Sequence, residues 1–150
     1  MATREFQYDP TKHAPPKLTQ IFHHPVDNCP GKCIIGIIAE LGPGTALPPH
    51  RHGGATVSGY ILEGTIYNKM NDEPQETISK GGQWFERPGC HHRINANASD
   101  TEPAKFFATF VIDEEAVKQG RLMEIDDEYQ HVKCAVEQSP GMRGECKCKS

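Results

Sequence analysis

His50 and His52 stand one residue apart in "PPHRHGGATVSGYILEG", the run from Pro48 to Gly64. Two imidazoles at this spacing share a metal ion only on extended backbone. Strand alternation turns both rings to one face, whereas a helix would splay them by about 200°. Pro48 and Pro49 push the chain before them out of the helical region, and Gly53-Gly54 lets it bend directly after the second ring. A lone His-x-His is more often a surface pair than a ligand pair. A second stretch, "GGQWFERPGCHHRIN" (Gly81–Asn95), sets His91 and His92 after a Pro-Gly turn, at the start of a strand. Three imidazoles from two such segments, facing one interior, suit Fe, Zn, Mn, Ni or Cu. Adjacent strand residues face opposite sides, so only one of His91 and His92 can join the pair.

The elements that must hold these residues are short strands. "KCIIGIIAEL" (Lys32–Leu41) is a β-branched run bounded by "CPG" and "GPG" and reads as a strand buried on both faces. "LTQIF" (Leu18–Phe22) reads as an edge strand, and Thr56–Leu62 with Thr65–Met70 as a hairpin about Glu63-Gly64. Glu76–Lys80, Gln83–Arg87, His91–Asn95 and Lys105–Ile112 complete the set. "DEEAVKQG" (Asp113–Gly120) has acids first and glycine last, which fits a short helix. Strands at this spacing, separated by Gly and Pro turns, point to a sandwich or barrel. The expected organisation is an extended arm over 1–17, one domain over 18–136 and a flexible tail over 137–150.

The totals agree. A chain of 150 residues makes one domain with a sizeable core. With 14 glycines and 12 prolines it favours a turn-rich β protein over a helical bundle. A net charge of −4 with mixed signs carries no basic stripe, so no nucleic-acid partner is expected. No apolar stretch approaches the roughly 20 residues of a membrane span. The polar start "MATREFQYDP" does not read as a secretion signal, so the expected location is cytoplasmic. Cys29, Cys33, Cys90, Cys134, Cys146 and Cys148 then read as thiols rather than a disulfide framework. Their spacings are not those of a four-thiolate zinc site.

The two histidine segments resemble the two motifs of the cupin superfamily. The first motif matches at Gly44, His50, His52 and Gly64, and the second at Gly82, Pro88, Gly89, His92 and Asn95. The resemblance covers about 32–112. It implies an all-β double-stranded β-helix, a cupin jelly-roll barrel holding one divalent metal ion, and a homodimer. It also implies the ligand set His50, His52 and His92, with His91 left to the rim. The motif-one carboxylate falls at position 57, where this chain has Val57.

Three neutral imidazoles leave the ion's charge uncompensated. An anionic chelating substrate, such as an enolate, is one way to replace the missing acid. The favoured reading is therefore a metal-dependent enzyme of small molecules, most sharply a ferrous (Fe²⁺) dioxygenase, with Zn²⁺, Ni²⁺, Mn²⁺ or Cu²⁺ as other occupants. A redox-neutral isomerase, cyclase, dehydratase or decarboxylase and a non-catalytic ligand-binding cupin are the alternatives. The acid or base is not identified; Glu63, Glu86 and His91 are the weak candidates. Trp84, Phe85, Tyr60 and Tyr67 read as packing groups, with Tyr60 turned outward, and Cys90 reads as packing.

Overall fold

The computed structural model describes residues 4–142. Strands run β1 (Lys17–Pro25), β2 (Lys32–Leu41), β3 (Ala46–Leu47), β4 (His50–Arg51), β5 (Thr56–Glu63), β6 (Thr65–Met70), β7 (Glu76–Ser79), β8 (Gln83–Glu86), β9 (His92–Asn97) and β10 (Ala104–Asp113). Helix α1 (Glu114–Lys118), strand β11 (Glu124–Ile125), a 3₁₀ turn (Asp127–Tyr129) and β12 (Val136–Gln138) follow. One sheet has the order β12-β1-β2-β10-β5-β8, and the other β11-β4-β9-β6-β7 with β3 also on β9. The two sheets are the walls of a jelly-roll barrel, the architecture expected from the sequence.

Alternation builds the core. β2 turns Cys33, Ile35, Ile37, Ala39 and Leu41 inward. β10 lies beside it in unbroken antiparallel register and adds Phe106, Ala108, Phe110 and Ile112. β2 is buried on one face only: Ile34 and Ile38 are half-buried on the other and Glu40 is exposed, because no described helix layer covers that sheet. Tyr60 points outward as expected, while Trp84 is buried and edge-on to Phe106, with ring centroids 4.9 Å apart.

Three further expectations change. β5 and β6 do not form a hairpin: β5 pairs with β8 and β10, while β6 pairs with β7 and β9. Gly64 is instead the corner where the chain leaves one sheet for the other, at φ +74. The 1–17 arm, where described, lies against its own barrel. Glu5 pairs with Lys69 at 3.0 Å, Phe6 N–H donates to Gln75 at 2.7 Å, and Tyr8 meets Tyr129 edge-on at 5.0 Å. Phe6 and Tyr8 close a small outer cluster over Ala46, Ile94 and Ala96, so their apolar rings anchor a segment whose composition reads as free. β12 (Val136–Gln138) crosses the expected domain boundary into the tail, parallel to β1; residues 143–150 of that tail, with Cys146 and Cys148, lie outside the described residues.

The corner is testable. A methyl group at Gly64 would meet the Pro103 carbonyl oxygen at 2.4 Å, whereas at Gly81, also at positive φ, it would meet nothing within 4 Å. Gly81→Ala is expected to cost about 1 kcal/mol of backbone strain, and Gly64→Ala roughly 3 kcal/mol. Urea unfolding midpoints of the two variants check the difference.

Candidate metal centre

His50 lies on β4, directly opposite His92 on β9. His52 follows two residues later, ahead of the Gly53-Gly54 bend. Gly53 has φ +59 and packs so closely under residue 121 that a methyl group would sit 2.4 Å from the Arg121 carbonyl oxygen. The segment after α1 therefore rests directly on the His-x-His loop. The His50 ring centroid lies 4.6 Å from that of His52 and 5.1 Å from that of His92. All three side chains are buried, and their ligand atoms fall within 4.8 Å of one another.

The outer hydrogen bonds fix which nitrogens face in. Carbonyl oxygens take one N–H from each ring: Pro48 from His50 Nδ1 at 2.7 Å, Leu122 from His52 Nδ1 at 2.8 Å, and the Asn68 side chain from His92 Nε2 at 2.7 Å. A neutral imidazole that donates outward presents its other nitrogen inward as a lone pair. Those inward atoms are His50 Nε2, His52 Nε2 and His92 Nδ1. The first and last are buried with no hydrogen-bond partner among the described residues. Burial first, then the neighbouring His52 and His92, hold the His50 pKa well below the usual imidazole range. His52 is lowered too, mainly by burial.

The carboxylate absent at Val57 enters from the adjacent strand. Glu86 on β8 is the cross-strand partner of Val57, and directly opposed residues share a face. Its side chain is 2% exposed, with Oε1 3.8 Å from His52 Nε2 and Oε2 3.5 Å from His92 Nδ1. Trp84 Nε1–H donates to Oε2 at 3.2 Å, while Oε1 has no partner among the described residues. Burial alone would raise the Glu86 pKa; positive charge at His92, then at His52 and His50, holds it low, and with these rings neutral a bound cation would supply that charge. An ionised carboxylate beside inward lone pairs is a donor set for a cation, and a buried charge of this kind is costly without one. The charge argument built on Val57 is therefore corrected: the acid is present, at the opposite register position.

Two glycine and bulge features set this geometry. Gly59 faces Trp84 across the β5–β8 pair, where a methyl group would sit 2.3 Å from the indole. The missing side chain leaves the ring room to reach Glu86. On β9, Met70 pairs with His92 but Lys69 with Ile94, so Arg93 is an extra residue. This bulge lets His92 and Asn95 both face the cavity while Ile94 and Ala96 face the arm.

Other sequence candidates lie elsewhere. Glu63 is exposed at the end of β5. His91 turns outward and pairs with Asp126 at 2.9 Å, beside a polar cleft of about 520 Å³ outside the barrel. Cys90 packs on Met70, with Asn71 Nδ2–H donating to its sulfur. Sequence reasoning missed Asn68 and the Leu122 carbonyl as supports, and left Glu86 unplaced. The signal for Glu86 was available: in Gln83–Glu86, Trp84 and Glu86 share parity, so an inward tryptophan implies an inward acid.

The space among the donors measures about 20 Å³, enough for an ion or one water but not an organic molecule. Ile37, His52, Phe110 and Met123 separate it from a second, largely apolar pocket of about 320 Å³, lined also by Val117, Leu122 and Cys134.

A model of the cupin domain matches residues 37–112, just over half of the chain. The chain belongs to the cupin family. Among solved structures, an oxalate decarboxylase variant from Bacillus subtilis aligns with this cupin at 20% identity and TM-score 0.51, over 65% of this chain and 26% of that one. A structure described as the DMSP lyases RdDddP and RnDddQII aligns at 14% identity and TM-score 0.51, over 63% and 44%. An uncharacterised double-stranded β-helix protein from Klebsiella pneumoniae aligns at 16% identity and TM-score 0.49, over 54% and 69%. The cupin spans less than half the length of the decarboxylase and lyase chains it matches, and these two likenesses support the fold alone. No curated protein sequence matches. No described helix is long and apolar enough to cross a membrane.

The protonation states give a pH dependence. His50 and His52 have folded-state pKa values below the 6.5 of the unfolded chain. Below that value the unfolded state binds protons that the folded state refuses, so stability is lost as pH falls through it. Glu86, lowered from 4.5, acts in the same sense at lower pH. The metal-free protein is expected to lose stability steadily from pH 7 to pH 5. His50→Gln is expected to flatten that slope in urea titrations run with a chelator.

Proposed function

We propose that this cupin is a metal-dependent enzyme of small organic molecules, its divalent ion held by His50 Nε2, His52 Nε2 and His92 Nδ1 with Glu86 beside them. The observation that carries the reading is the convergence of partnerless buried donors, with the outer nitrogen of each ring already committed to a carbonyl oxygen. Such an ion would act as a Lewis acid on a substrate carbonyl oxygen and, if ferrous, would also serve O₂ chemistry.

The protein's part is proton handling and exclusion of water. Glu86 Oε1 is the available basic atom at the donor cluster, and Trp84 fixes the other oxygen. Its lowered pKa makes Glu86 a weak base, so it would take a proton only from carbon whose neighbouring carbonyl an ion at the cluster had polarised, which makes a readily enolised small molecule the fitting substrate class. The 20 Å³ space admits only the reacting end. The remainder of the substrate would need the apolar pocket on the far side of Phe110 and Met123, two side chains that line both spaces. A dry wall of Ile37, Leu47, Trp84 and Phe106 suits a reaction whose intermediates must be kept from solvent. We favour ferrous dioxygenation of the enolised substrate. Glu86 supports a second reading, redox-neutral isomerisation or elimination, since a resident carboxylate compensates the ion without an anionic chelator.

Elemental analysis of protein purified without added metal is expected to show at least near-stoichiometric divalent metal, with one equivalent lost in His50→Ala/His92→Ala. Iron, with β-diketone turnover that stops under anaerobiosis, supports dioxygenation; turnover that continues without O₂ supports the redox-neutral reading. Failure to bind iron, zinc, manganese or nickel removes the enzyme reading altogether.

The carboxylate has its own test. Glu86→Gln is expected to weaken divalent-ion binding by roughly 10–100-fold. Val57→Glu placed in a Glu86→Val background is expected to restore a measurable part of it, since the two positions face one space. Competition with a chromophoric chelator reads both.

A further inference from the structure

A second group of metal-ligating side chains gathers where α1 leaves the barrel. His23 from β1, Cys33 from β2 and Glu114, the first residue of α1, each bring a ligand atom to within 4.8 Å of the others. His23 Nε2 lies 3.3 Å from Glu114 Oε1. Three elements distant in sequence supply these residues, and the register explains the meeting. Cys33 is opposite Pro25, so alternation along β1 puts His23 on the same face. On its other side Cys33 is opposite Ile112, two residues before Glu114.

The chemistry is that of a borderline-soft cation. The Cys33 thiol is fully buried and forms the floor. His23 and Glu114 are 28% and 35% exposed, so the group is open to solvent on one side. Lys32, the nearby ammonium on β2, is engaged by Asp113. One sulfur, one nitrogen and one oxygen with an open side make a zinc-type tetrahedral set, completed by water.

We infer that His23, Cys33 and Glu114 form a second divalent-metal site, separate from the histidine cluster in the barrel. An ion there ties the first turn of α1 to the β1–β2 hairpin. Helix α1 opens the segment that carries Leu122, whose carbonyl oxygen accepts the His52 Nδ1 proton. The site thereby anchors the cap that orients one inner imidazole.

Titration of the metal-free, full-length chain with Cd²⁺ or Co²⁺, in a reductant that has no thiol, tests this. The inner cluster offers only nitrogen and oxygen, so in a full-length chain whose other five cysteines are serine (Cys29→Ser, Cys90→Ser, Cys134→Ser, Cys146→Ser, Cys148→Ser) an ultraviolet thiolate-to-metal charge-transfer band reports the second site alone. The band is expected in that background, which serves as the wild type of this test, and absent when Cys33→Ser is added. His23→Gln, at a partly exposed position where folding is not at stake, is expected to weaken the ion by at least about tenfold, no less than loss of an outer-shell partner costs. No band in the wild type overturns the site, as does a band indifferent to Cys33→Ser or to His23→Gln. If Cys33→Ser fails to fold, His23→Gln decides.

Discussion

The centre depends on three carbonyl oxygens. Pro48, Leu122 and Asn68 each take the outer N–H of one imidazole and so leave the inner nitrogen with a lone pair. Without them each ring could turn or change tautomer, and three buried histidines would be merely a polar defect in an apolar barrel. The three supports come from three places: the proline turn before β4, the segment beyond α1, and the inner face of β6. The local order of the site is thus set by the assembly of the whole barrel, including the stretch after β10 that closes over His52.

Glu86 shows what strand pairing does to a sequence motif. Directly opposed residues on an antiparallel pair have Cβ atoms about 5 Å apart and share a face, so a carboxylate moved from position 57 to position 86 reaches the same space. The Val57 replacement opens room that an aliphatic wall can fill, and Trp84 holds the relocated acid through its indole N–H. That tryptophan in turn requires Gly59, since any side chain there would occupy the ring's place. Val57, Gly59, Trp84 and Glu86 are one interlocked set on two strands.

Much of this was legible in the chain. Alternation and turn residues placed β2 and β6 to the residue, and the two histidine segments supplied the three imidazoles. The choice of His92 over His91 rested on the resemblance's spacing after Gly89; the structure brings His92 beside His50 and His52 and pairs His91 with Asp126. What escaped detection was long-range pairing. The sheet change at Gly64 looks like a hairpin because a glycine corner and a hairpin turn need the same residue. β4 and β11 are two-residue strands, too short for any period to show. The arm reads as unstructured because its anchors, Phe6 and Tyr8, are isolated apolar residues whose barrel partners, Ala46, Ile94 and Ala96, lie far along the chain.

The same blindness accounts for the acid. A motif is a list of positions along one chain, while a metal site is a set of atoms around one point. The two coincide when each ligand keeps its own strand. They separate when a ligand crosses to the paired strand at the same register, a move that conserves charge and position in space but erases the residue from its place in the motif. Read by position, this chain has lost its carboxylate, and the charge balance then demands an anionic substrate. Read by register, the charge is already present, and under the proposed function the demand on a substrate would shift from carrying a negative charge to yielding a proton to Glu86. On that reading, the identity of one cross-strand pair changes which molecules the centre would accept.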